Sequence, residues 1–144
     1  MMRYRDNPTV NRCLADKALD HIDHALGRPM FPLLECYRNY FATGVDSETA
    51  KAFEASPHWG LSGVQGSMAY FHVTDAGRAA LDAHLASIGS AWRPYLVSFR
   101  GFKRRVPARS PSAAKYRYFL DLRDVAPDLP FIEFARDARA GLAA

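Results

Sequence analysis

Cysteine is scarce in this chain. Cys13 and Cys36 are the only two in 144 residues, and they stand 23 positions apart. A small secreted fold stapled by disulfides carries more cysteines at closer spacing, so two free thiols in a reducing compartment are expected. Long hydrophobic runs are also missing, and none approaches the ~20 residues that a membrane span needs. Met1 to Asn11 is polar and has no hydrophobic signal core, so the expectation is a cytoplasmic protein with no membrane partner. There is no P-loop, nucleophile elbow or dinucleotide fingerprint. Gly60-x-x-Gly63-x-x-Gly66 has no lysine after it and no clean strand before it, so it reads as a connector and not a phosphate cradle. No internal repeat or low-complexity tract is present.

What the chain does have is apolar material and an uneven charge. Hydrophobic residues make up 49% and aromatics 12%, enough to bury a core without metals or disulfides. This length suits one domain, or two very small parts sharing a core. The chain carries a net charge of only +4. Yet Arg93, Arg100, Lys103, Arg104, Arg105, Arg109, Lys115, Arg117 and Arg123 face a single acid, Asp121, across one stretch of 31 residues. That stretch carries +8 and the remainder −4, so the positive charge is a patch. A local field of that sign attracts polyanions.

Local patterns predict an α+β protein. Leu14, Ala15, Ala18, Leu19, Ile22, Ala25 and Leu26 cover one arc of about 140° on a first helix. Asp16, Lys17, Asp20, His21, Asp23 and His24 form its polar side, and Gly27 ends it. A second helix is expected over 33–41 and a third over Glu48 to Phe53. Trp59, Leu61 and Val64, set between glycines, suggest a turn or a short irregular strand. Met68 to Val73 has strand composition, and Thr74 is a ready cap for a helix from Asp75 to Ile88. Tyr95, Val97 and Phe99 alternate with Leu96, Ser98 and Arg100 as the residues of a half-buried strand do. A turn at Gly101-Phe102 leads to a return strand, Lys103 to Ala108, which Pro107 marks as an edge. Ser110-Pro111 starts a helix, with Arg117 and Asp121 paired at i,i+4, and a last helix carries Phe131 to Ala135. Two parts follow, 1–88 helical and 89–144 a basic ββαα unit. The aromatics Tyr37, Tyr40, Phe41, Trp59, Tyr70 and Phe71 are expected in the core, any surplus forming a partner patch that makes a homodimer plausible.

Two resemblances bear on function. Trp59-Gly60-Leu61, through Tyr70-Phe71-His72-Val73-Thr74-Asp75-Ala76-Gly77, to Leu81 resembles the end of a winged helix, where a strand closes the wing and a threonine leads into a helix. The chain departs from that pattern before this point, because Asp46 to Glu54 offers only Lys51 for phosphates and base edges. Tyr37-Arg38-Asn39-Tyr40-Phe41, His72-Val73-Thr74, Ala108-Arg109-Ser110 and Pro127-Asp128-Leu129 together resemble small proteins of tailed phages and prophages. That resemblance implies phage-type roles in a host cell, such as DNA binding, gene control or blocking a host defence protein.

The candidate site follows from the patch. Arg100, Lys103, Arg104, Arg105 and Arg109 would line a hairpin that tracks phosphates, with Lys115 and Arg117 on the following helix. Phe99, Phe102 or Tyr116 would add stacking on unpaired bases. Strand alternation puts Lys103 and Arg105 on one side and Arg104 on the other, at the rim of the face that carries Val106 and Ala108. Asp20 and His24 share a helix face, but the spacing of the histidines is wrong for a metalloprotease helix, and no metal or cofactor is expected. Cys36, His58 and His72 lack sequence partners for catalysis. The expected function is non-enzymatic nucleic-acid binding, DNA favoured. The alternative is an anti-CRISPR-like inhibitor that grips a host defence protein, or a host nucleic-acid-binding complex, through the same patch.

Overall fold

The computed structural model describes residues 7–143. Met1 to Asp6 of the polar N-terminal stretch, and Ala144, lie outside the described residues. The elements run α1 Lys17–Ala25, β1 Phe41–Gly44, α2 Glu48–Glu54, β2 Trp59–Gln65, β3 Met68–Val73, α3 Asp75–Ser87, β4 Arg93–Phe99, β5 Phe102–Ala108, α4 Pro111–Leu122, α5 Phe131–Asp137 and β6 Arg139–Leu142. Among the described residues the fold is therefore α+β, with five helices and two three-stranded antiparallel sheets. The chain divides after Ser90 into two compact units, each with its own sheet and its own apolar cluster.

In the first unit α1 starts where Asp16 accepts a hydrogen bond from the Leu19 N–H. Ile22, Ala25 and Leu26 are buried as the helical spacing requires. Gly27 and Arg28 then take left-handed backbone angles, φ 82° and 53°, to reverse the chain. One expectation fails on the polar side of this helix. Asp23 is fully buried, because Arg12 binds both of its carboxylate oxygens and Arg28 adds a 3.0 Å bond. Arg28 also reaches Asp20 at 2.7 Å. Two arginines from opposite ends of the segment thus close on one helix turn.

The expected helix over 33–41 does not form; β1 begins at Phe41 and the stretch before it is loop. The reason lies in who takes its backbone groups. Arg78 donates to the carbonyls of Pro32 and Leu34. The Asn7 amide donates to those of Phe31 and Glu35, at 3.1 and 3.0 Å, and its oxygen accepts from the Phe31 N–H. Carbonyls that a helix would use internally are spent on side chains distant in sequence. Tyr37 and Tyr40, expected in the core, are therefore more than half exposed, whereas Phe41, Trp59 and Phe71 do pack inside.

The sheet of this unit has the order β1-β3-β2. The stretch after Trp59 is a full strand, seven residues long, with an irregularity between Leu61 and Gly63. Ala69, Phe71 and Val73 of β3 face the helices. Phe53 stacks on Trp59 at 3.8 Å and 10°, and Phe41 and Phe71 meet Phe53 edge-on. Thr74 caps α3 by accepting from the Gly77 N–H. Gly77 has no room for a side chain: a Cβ there would lie 2.6 Å from the His58 carbonyl oxygen and 2.7 Å from Val73.

The second unit is built on the β4–β5 hairpin. Its turn is Arg100-Gly101, one residue earlier than expected, with φ 48° and 86° and the pair Phe99–Phe102 closing it. Two positive φ values match the right-handed twist of the flanking strands. Ser110 caps α4 and Pro111 stands at its start. The expected ββαα unit is corrected to ββααβ: β6 pairs with β4, giving the order β5-β4-β6 with β5 at an edge. Tyr95, Val97, Phe99, Val106 and Ala108 form one face of this sheet and pack on Ala114, Tyr118 and Phe119 of α4 and Phe134 of α5.

Candidate nucleic-acid interface

The second unit separates its charges by layer. Residues 91–144 carry eleven Lys or Arg and five Asp or Glu, a net +6, while residues 1–90 carry eight and ten, a net −2. The five acids are Asp121, Asp124, Asp128, Glu133 and Asp137, all on α4, α5 or the loop between them. No strand of the sheet contains one. Since α4 and α5 cover the face that carries Val97 and Val106, the opposite face of the sheet is free of acids in its own strands.

The residues expected to act together divide between the two faces. Register puts Lys103 opposite Ser98, and Arg105 opposite Leu96, on the face away from the helices. Both cations are exposed, and neither has an ion pair or hydrogen bond among the described residues. Arg104 points the other way, as alternation requires. It binds Asp121 at 2.9 Å and lies 6.0 Å from the centre of the Tyr118 ring. Asp121 was expected to pair with Arg117 along the helix; it takes Arg104 instead, and Arg117 donates to the Pro107 carbonyl.

Arg100 is drawn toward α5. Its guanidinium binds Glu133 at 2.8 Å and Asp137 at 3.1 Å, and it lies 4.8 Å from the centre of the Phe99 ring. The bonds to Glu133 and then Asp137 hold it above the ordinary arginine value, and Asp137 is held below the carboxylate range by Arg100 and Arg136. Lys115 donates to the Ala135 carbonyl. Arg109 is exposed just beyond β5, with its guanidinium 5.8 Å from the centre of the Trp92 ring. Of the set Arg100, Lys103, Arg104, Arg105, Arg109, Lys115 and Arg117, Lys103 and Arg105 thus share the sheet face away from the helices, and Arg109 is exposed beyond the end of β5 with no carboxylate partner among the described residues. Phe102 is 70% exposed at the hairpin end, whereas Phe99 is buried and unable to stack on a base.

Sequence reasoning missed one cation. Arg139 opens β6 opposite Ser98, so Lys103, Ser98 and Arg139 form one row across the three strands. Its guanidinium donates to the carbonyls of Arg136 and Ala138. The only sequence signal was a positive charge, because nothing local marks Arg139 to Leu142 as a strand.

The other candidates are absorbed by the fold. Asp20 is held below the usual carboxylate range, first by the hydrogen bond from Arg28, and so serves the ion network. No group of three or more His, Cys, Asp or Glu that could hold a metal is gathered among the described residues. Burial pushes the Cys36 thiol up, against the opposing effect of Arg78. His72 accepts or donates a 2.7 Å bond with Ser62 and fills the space above Gly60. Among the described residues no helix is long and apolar enough to cross a membrane. No family model, curated protein or solved structure matches the chain, so the geometry of the acid-free sheet face stands alone as the guide to what it meets.

Proposed function

We propose that residues 91–143 bind nucleic acid, DNA before RNA, through the outer face of the β5-β4-β6 sheet. One observation carries the reading: Lys103 and Arg105 stand uncompensated on that face, while every acid of the unit sits in the helical layer. Of the side chains that share this face, Pro94, Leu96 and Ser98 are at least partly exposed and Pro107 is buried, and none is aromatic. That favours contact with a phosphate backbone over stacking on splayed bases. Phe102 is the exposed ring nearest in sequence, and it would touch only the end of a bound strand.

The first unit supports this less directly. Its β2–β3 hairpin, Thr74 cap and close-packed Gly77 fit a winged-helix-like part. However, the segment between β1 and β2 holds a single seven-residue helix, with Lys51 flanked by Glu48 and Glu54. A recognition helix would need donors there. The reading therefore assigns the phosphate contacts to the second unit alone.

Fluorescence anisotropy on a labelled duplex tests the reading. Lys103→Ala with Arg105→Ala should weaken binding about tenfold or more and make the salt dependence shallower by roughly two counterions. Arg104→Ala, whose partner is Asp121, should change affinity far less. Unchanged binding in the double variant removes the face from the account. Retention of an acidic protein from nuclease-treated lysate, lost in the same double variant, would move the partner from nucleic acid to protein.

A further inference from the structure

The first unit contains a cleft that the nucleic-acid reading does not use. It lies between α1 and α2, encloses about 590 Å³, and has Ala80 of α3 at one end. That volume falls within the roughly 300–1,000 Å³ typical of small-molecule sites. The cleft exists because of how the helices are supported. α1 packs chiefly on α3, while α2 packs on β1 and β2, so little holds α1 against α2. Ala18, Ala52 and Ala80 line it with methyl groups where larger side chains would close it.

Its lining has a definite chemistry. Phe53 and Trp59, stacked on each other and only 4% and 8% exposed, line it with little of their surface, and the His21 ring meets Phe53 edge-on at 5.9 Å. Burial, then the nearby Lys17, holds His21 below the ordinary histidine value, which favours the neutral ring with its one donor and one acceptor. Asp16 and Glu48 line the cleft against one lysine, Lys17, so the ionised lining groups are more negative than positive.

We propose that this α1–α2 cleft is a binding site for a flat heteroaromatic small molecule, neutral or weakly basic, whose ring lies against Phe53 and Trp59 and whose polar atom bonds His21. The apolar lining, from Leu19, the alanines and the aromatic pair, favours an apolar ring over a polar ligand. The acidic excess of the lining disfavours an anion. The three alanines set the size of what enters.

Two probes that share one ring system test it: neutral N-phenyl-1-naphthylamine and its sulfonated analogue, 1-anilinonaphthalene-8-sulfonate. The full chain carries Trp92→Phe, so that Trp59 is its one tryptophan and energy transfer reports the cleft. The neutral probe should bind saturably at one site per chain, with transfer from Trp59, and more tightly than the sulfonate. Ala18→Leu and Ala52→Leu, each at an exposed helical position and each checked for an unchanged melting curve, should raise its dissociation constant about tenfold or more. Absence of saturable binding, or affinity unaltered in whichever filled variant keeps the fold, overturns the site. Preference for the sulfonate overturns the ligand class. None of these readouts involves nucleic acid, so this test and that of the sheet face fail independently.

Discussion

Arg28 in the first unit and Arg100 in the second meet the same backbone problem and differ in how it is solved. Each is a non-glycine residue with positive φ, 53° and 48°, and each is straddled by two carboxylates. Arg28 shares Asp23 with Arg12, and Asp23 is fully buried. Arg100 and its partners Glu133 and Asp137 stay partly exposed, at 48%, 39% and 32%. Buried charges must be paired or the fold loses several kcal/mol, whereas exposed pairs are screened and contribute little. The first clamp is therefore structural. The second mainly removes one cation from a surface that could otherwise use it.

The comparison can be broken most sharply at Asp23. Asp23→Ala leaves Arg12 buried without its partner, and urea unfolding should show a loss of about 3–5 kcal/mol. Glu133→Gln with Asp137→Asn, the matching change in the second unit, should leave the urea midpoint nearly unmoved. An equal loss in both would erase the distinction. Next comes Gly77→Ala, where the added methyl meets the His58 carbonyl at 2.6 Å, with an expected cost of about 1–3 kcal/mol in the same assay.

The remaining predictions concern charge. Releasing Arg100 with Glu133→Gln and Asp137→Asn should strengthen duplex binding a few-fold and steepen its salt dependence, because two negative charges leave the basic unit. No change would mean that the hairpin end lies outside the contact. The smallest effect is a pH dependence at Asp20. Its folded value is lowered by Arg28, so its stabilising contribution is complete above about pH 4 and disappears as pH falls through the folded value. Asp20→Asn should flatten that acid limb of the stability curve. An unaltered limb would show that the Arg28 clamp works through Asp23 alone.

The elements that could be read in advance were those with local signals. Thr74 and Ser110 cap their helices because the sequence places a hydroxyl three residues before the N–H it accepts from. The β4–β5 hairpin followed from period-2 alternation, and the same alternation separated Lys103 and Arg105 from Arg104. The expected helix over 33–41 failed because Asn7, 24 and 28 residues away, and Arg78, 44 and 46 away, claim its carbonyls. β6 escaped notice because a four-residue segment becomes a strand only beside β4.

What the chain determined by itself is the run of cations from Arg93 to Arg123, the caps, and which strand residues share a face, since composition and backbone periodicity act at short range. What only the tertiary structure decided is which of those cations stays uncompensated. Glu133 and Asp137 reach Arg100 across 33 and 37 residues, and Asp121 turns from its helical neighbour to Arg104. Coulomb attraction depends on distance in space, and that distance is set by the packing of α4 and α5 on the sheet.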